Sequence, residues 1–193
     1  MILVAGSTDM LGGEICYILA SQGKSIRALV LDTSDPAWVE RLKNFGATLA
    51  LGDLHDPFFL ADTFVGVNEV ICSPVALFSG PPGETHTRNV DLAGFISLIH
   101  AAKEADVLRF VYISYSPNPD LSFLLLKETQ DIEQRLIDSG IPYTILHAGE
   151  YPSQPESVSQ SSIKELARLA TQALEDPARC NDGLLCEPAE KFQ

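Results

Sequence analysis

The chain is poor in positive charge. Its 193 residues hold 13 Lys and Arg against 26 Asp and Glu, a formal net charge of −13. A surface this acidic repels nucleic acid and anionic membrane, so neither is an expected partner. Solubility is its plain consequence, and a basic protein partner stays open. No apolar run approaches the roughly 18–20 residues of a membrane span, and Met1 opens directly on a strand-like run, so no signal peptide is expected. Cysteine is scarce. Cys16, Cys72, Cys180 and Cys186 show no close metal-ligand spacing, and His55, His86 and His100 stand at ligand spacing neither to one another nor to the cysteines, so no metal site is expected. Cys16 and Cys72 lie in apolar segments and read as buried, reduced thiols, which places the chain in the cytoplasm. Internal repeats, a Walker loop and a nucleophile elbow are missing as well.

What is present suits one globular domain over residues 1–193: 46% hydrophobic and 20% charged residues, at a length that supports a core without staples. Strand-like runs at 2–5, 26–31, 48–50, 69–72, 109–114 and 143–146 alternate with helical patterns at 11–22, 37–44, 57–64, 88–105, 121–139 and 163–174. Gly23 and Gly140 stand where helix C-terminal glycines belong. The run Phe110-Val111-Tyr112-Ile113 is apolar without alternation, as in a sheet covered on both faces. Alternating β and α units of this kind predict an α/β fold with a doubly wound parallel sheet. Residues 79–83 and 151–162 read as loops, and 183–186 as one more strand.

The opening stretch carries the most chemistry. An apolar strand breaks at Gly6, and a helix restarts near Leu11, after Gly6-Ser7-Thr8-Asp9-Met10-Leu11-Gly12. Strand, glycine turn and helix N-terminus form the device that holds a pyrophosphate, because main-chain N–H groups and the positive helix end point at the anion. The spacing calls for a glycine at position 9, where this chain has an aspartate. Two readings stand: Asp9 caps the helix in place of a phosphate, or it opposes the phosphate with a repulsion of about 1–4 kcal/mol at 4 Å.

Residues 4–12 (VAGSTDMLG), 26–30 (IRALV), 52–54 (GDL), 89–93 (NVDLA), 101–105 (AAKEA), 109–114 (RFVYIS) and 139–146 (SGIPYTIL) occur in an order that resembles the atypical short-chain dehydrogenase/reductase superfamily, in its NmrA-like, NAD(P)-binding branch. The resemblance covers about residues 1–150 and implies a Rossmann-like core there, with 151–193 as a shortened C-terminal segment where longer relatives build a substrate pocket. It implies pyrophosphate contacts from Gly6, Ser7, Thr8, Met10 and Leu11, adenine contacts from Asp53 and Leu54, and a nicotinamide side formed by Ser73 and Pro74. Leu31 occupies the place of the base that meets a 2′-phosphate, and Asp32 follows where an acid accepts from the ribose 2′-OH. NAD(H) is thereby favoured over NADP(H), unless Arg27, the nearest base on that strand, reaches the ribose. Asp32 reads equally as a turn residue, and a chain that binds no dinucleotide stays open.

For catalysis the resemblance implies Ser114, which polarises a carbonyl, and Lys127, the lysine of a Tyr-x-x-x-Lys pair. The tyrosine position holds Phe123, which has no proton to give. Tyr115 is a candidate stand-in, Lys127 reads equally as a solvated helix lysine, and His147-Ala148-Gly149 replaces the family's Arg-Pro-Gly. Three functions follow: an oxidoreductase acting on a small carbonyl or quinone-like substrate, a non-catalytic nucleotide sensor or scaffold bound to a protein partner, or a non-redox enzyme reusing the cleft. Helices over 88–105 and 121–139 correspond to the superfamily's homodimer face.

Overall fold

The computed structural model describes residues 1–32, 34–73, 85–116, 123–150, 159–176 and 182–185, and every structural statement refers to these. Strands and helices alternate: β1 (Ile2–Ala5), α1 (Met10–Ser21), β2 (Ile26–Val30), α2 (Pro36–Asn44), β3 (Thr48–Leu51), α3 (Pro57–Phe64), β4 (Glu69–Cys72), α4 (Thr85–Glu104), β5 (Arg109–Ser116), α5 (Phe123–Ser139), β6 (Tyr143–Glu150), α6 (Gln160–Glu175) and β7 (Asp182–Leu185). The strands form one sheet in the order β3-β2-β1-β4-β5-β6-β7. Every neighbouring pair is parallel. This is the expected doubly wound α/β sheet, and the further strand expected near 183–186 is β7, of which residues 182–185 are described.

Local chemistry sets the element ends. Asp9, Asp35 and Asp56 cap α1, α2 and α3 through main-chain N–H bonds, and prolines occupy the first turns of α2 and α3. Gly23 (φ 71°) closes α1: its N–H donates to the Ala20 carbonyl at 2.9 Å and that of Lys24 to Leu19 at 3.0 Å, the paired bonds of a Schellman turn. Period-two alternation divides the strand side chains between two cores. Val4, Ile71, Val111 and Ile113 pack beneath α1 and α6, while Leu3, Cys72, Phe110 and Tyr112 pack beneath α3, α4 and α5. Ala167, Ala170 and Ala173 let α6 lie close on α1. Cys16 and Cys72 are buried free thiols, as read.

Several boundaries differ from the sequence reading, and those of β5 and β6 matter for the site. Strands β5 and β6 run on to Ser116 and Glu150, because their polar ends pair with each other, Ser114 opposite His147 and Ser116 opposite Glu150. Strand β4 ends at Cys72, opposite Tyr112, so the β5–β6 pair projects past it. Helix α6 begins at Gln160, capped by Ser159, so 160–162 are helix rather than loop. Residues 79–83 and 151–158 lie outside the described residues. No described helix is long and apolar enough to cross a membrane.

Candidate functional site

The strand order reverses between β1 and β4, and the crevice at such a switch point is where open α/β sheets take ligands. Gly6 turns the chain there with φ of 80°, and a Cβ on it would lie 2.3 Å from the Ser73 carbonyl oxygen at the end of β4. A Cβ on Gly12 would lie 2.0 Å from the Gly6 carbonyl oxygen. Only glycine allows the loop, β4 and the first turn of α1 to close this tightly. Gly13, which the sequence reading passed over, makes room for Trp38: its Cβ would meet the ring at 2.5 Å. The result is a main-chain cradle at a helix N-terminus.

Side chains around the cradle divide clearly. Ser7 is fully buried and donates to the Leu29 carbonyl at 2.7 Å, so its route to a ligand is through the main chain. Thr8 accepts from Ser34 across 3.4 Å, which ties the cradle to the loop after β2. Leu11 is buried, while Met10 is 48% exposed beside the crevice. Asp9 caps α1: the Gly12 N–H donates to its Oδ1 at 2.7 Å. Its Oδ2 is buried and has no hydrogen-bond partner. Burial pushes the Asp9 carboxyl up to about 6, against the opposing pull of the Gly12 and Leu11 N–H groups. The Oγ of Ser73 is likewise buried and unpartnered. Ser73 continues the β4 ladder, its N–H donating to the Ala5 carbonyl at 3.0 Å.

The proposed ribose and adenine residues line the next loops. Asp32 is exposed in a turn in which the Ser34 N–H donates to the Leu31 carbonyl at 2.9 Å, and the helix cap of that loop is Asp35 instead. Asp53 accepts from the His55 N–H at 2.9 Å, a bond that shapes the exit of β3. Leu54 packs against α4, where a Cβ on Gly94 would approach it to 2.9 Å. Arg27 corrects one expectation. Its guanidinium donates to the Thr63 and Val65 carbonyls at 2.6 and 2.9 Å, capping the end of α3. Both bonds come from its Nη1 and hold the side chain against the end of α3. Pro74 lies outside the described residues.

On the far side of the crevice, Ser114 is 1% exposed and donates to Glu133 Oε1 of α5 at 2.5 Å. His147 Nδ1 stands 3.7 Å from the same oxygen. Strand pairing brings Ser114 and His147 side by side, and α5 lays Glu133 over both. An O–H to carboxylate bond of this length is charge-assisted and pins the serine proton. Ser114 is thus a donor to Glu133 in this structure. Burial, with Cys72 and the Glu133 charge adding to it, drives the Tyr112 phenol well above its ordinary range, so it stays a neutral core group. Tyr115 packs on the α1–α6 side, the sheet face opposite Ser114. Lys127 is exposed on α5. Glu133 and Ser34 escaped the sequence reading, since strand register and loop contact are what bring them into the site.

Residues 1–181 match the NmrA-like family. The photosystem II assembly factor Ycf39 of Cyanophora paradoxa is 32% identical over 145 residues, covering 75% of this chain and 43% of that protein. The NAD(P)H azoreductase of Xenophilus azovorans is 27% identical over 202 residues, covering 94% of this chain and 65% of that one. Among solved structures, the Citrobacter sp. triphenylmethane reductase complexed with NADP(H) superposes with a TM-score of 0.70 at 21% identity, over 95% of this chain and 69% of that one. The chain thus spans about half the length of the assembly factors and two thirds of the azoreductase it matches.

Proposed function

The chain belongs to the NmrA-like family, and from that premise we propose that it binds a nicotinamide dinucleotide in the β1–β4 crevice and reduces a small quinone-like acceptor. The observation that carries this reading is the cradle itself. Gly6 and Gly12 hold a helix N-terminus open at the switch point, with no room for a Cβ at either position. Buried, unpartnered polar atoms on Asp9 and Ser73 border it, which fits a site built for a polar ligand. The main chain of residues 6–12 takes the pyrophosphate, Asp32 the adenosine ribose, and Asp53 with Leu54 the adenine. With Leu31 and Asp32 following β2 and Arg27 engaged elsewhere, NAD(H) is favoured over NADP(H). The reduced nicotinamide supplies hydride when bound.

The preference for a quinone-like acceptor over a simple ketone rests on protons. A reduced ketone leaves an alkoxide, whose conjugate acid is close to water at about 15.7, and needs a donor in the site. A reduced quinone leaves a phenolate, with a pKa of about 10, which water protonates unaided. Here the tyrosine position is Phe123 and the Ser114 proton is pinned on Glu133. The name of the azoreductase relative supports a two-electron acceptor of this kind.

A second reading is a nucleotide-responsive subunit that serves a protein partner without turnover. It is favoured by the engaged Ser114 and by the relatives named as assembly factors. Calorimetric titration with NAD+, NADH, NADP+ and NADPH, followed by turnover assays on quinones, aldehydes and ketones, separates the readings. Binding with quinone turnover supports the first, and binding without turnover on any of them the second. Absence of binding at millimolar dinucleotide refutes both.

A further inference from the structure

Resting on that reading, we infer that dinucleotide binding is proton-linked through Asp9: the cradle takes a pyrophosphate with Asp9 in its neutral carboxyl form. The geometry has three parts. Oδ1 accepts the Gly12 N–H at 2.7 Å, which fixes the side chain across the mouth of α1. Oδ2 is buried with no partner, so the ionised form leaves a buried anionic oxygen without a donor and the neutral form leaves an O–H without an acceptor. A phosphate oxygen satisfies the second form and repels the first. Ser73 Oγ, also buried and unpartnered, follows Ile71 by two residues and continues the same ladder, which directs it to the α1 side of the sheet, toward the same ligand.

The carboxyl titrates near 6, so at pH 7 roughly one molecule in ten is ready to bind and the rest must take up a proton. Its shift arises from burial and two main-chain N–H groups alone. On α1, Cys16 responds to Asp9, but burial holds its thiol near 12 and it stays protonated throughout the physiological range. Glu14 on α1, Glu40 and Arg41 on α2, and Lys164, Glu165 and Arg168 on α6 carry the charge of the elements around the helix, with Asp32 and Asp35 beyond β2. None of them contributes to the Asp9 shift. The linkage is therefore that of one group.

NAD+ is the probe, because its pyrophosphate has no group titrating between pH 5 and 8. Calorimetry in phosphate-free buffer pairs of different ionisation enthalpy, acetate and MES at the acid end and PIPES and Tris at the alkaline end, gives both affinity and proton uptake. Above pH 6 the Kd should weaken about tenfold per pH unit, roughly a hundredfold from pH 5 to pH 8, with nearly one proton taken up at pH 8 and almost none at pH 5. Asp9→Asn should bind with one affinity across that range and no proton uptake, and Asp9→Ser, which keeps a capping hydroxyl, should do the same. A flat wild-type profile overturns the inference while leaving dinucleotide binding intact. A slope that survives in both variants assigns the proton to another group and also overturns it. No NAD+ binding by any of the three proteins removes the binding reading and this inference together.

Discussion

Asp9→Asn makes a prediction about stability that needs no ligand. Asparagine caps a helix as well as aspartate does, so the Gly12 N–H keeps its acceptor. What the change removes is ionisation. In the folded chain the carboxyl titrates near 6 rather than 3.8, so between these values the native state binds more protons than the unfolded state. Stability therefore falls as pH rises through this window, and the whole loss is about 3 kcal/mol at 1.36 kcal/mol per unit. About 2 kcal/mol of it falls between pH 4.5 and pH 7.5. Urea unfolding of wild type and variant at these two pH values gives the quantity directly. The amide brings its own cost at the buried Oδ2 position, but that cost is the same at both pH values and cancels in the difference. The variant should gain about 2 kcal/mol relative to wild type on moving from pH 4.5 to pH 7.5. Parallel pH profiles for the two proteins would refute the burial of this carboxylate.

Other substitutions probe the remaining parts of the site. Gly12→Ala drives a Cβ to 2.0 Å from the Gly6 carbonyl, so it should cost about 1–3 kcal/mol in urea unfolding and abolish NAD+ binding; a variant that binds normally contradicts the cradle. Glu133→Gln replaces the charge-assisted bond from Ser114 and should cost about 1.5–3 kcal/mol, measured the same way, with no change in NAD+ affinity. Arg27→Ala strips donors from the Thr63 and Val65 carbonyls and should lower stability by a similar amount, about 1.5–3 kcal/mol, while leaving the NADH to NADPH affinity ratio unchanged; a shifted ratio would return Arg27 to the cofactor site.

The fold was legible because each level of the sequence agreed: short apolar runs without alternation, helical patterns between them, and terminal glycines. Gly6 and Gly12 were legible for the same reason, since strand–turn–helix demands glycine wherever a Cβ would strike main chain. The ends of β5 and β6 were not. Ser116 and His147 fell beyond the strands read at 109–114 and 143–146, because the partner that makes them strand lies more than thirty residues away. Glu133 was hidden for a related reason. It flanks the buried Ile132 on an amphipathic helix and looks like an ordinary solvated acid until the register of β5 against β6 puts Ser114 and His147 beneath it. Arg27 misled in the opposite direction: proximity along β2 suggested the ribose, while strand geometry sends the side chain to the end of α3. For Asp9 the sequence offered a cap or an obstacle, and the structure makes it the cap, with an oxygen left over.

Titration of the wild-type chain with NADH at pH 6, followed by calorimetry, tests the cradle most directly. A saturable, one-to-one isotherm, tighter than that for NADPH and lost in Gly12→Ala, is the expected result. No heat of binding at millimolar NADH, or an isotherm that Gly12→Ala leaves unchanged, would contradict it.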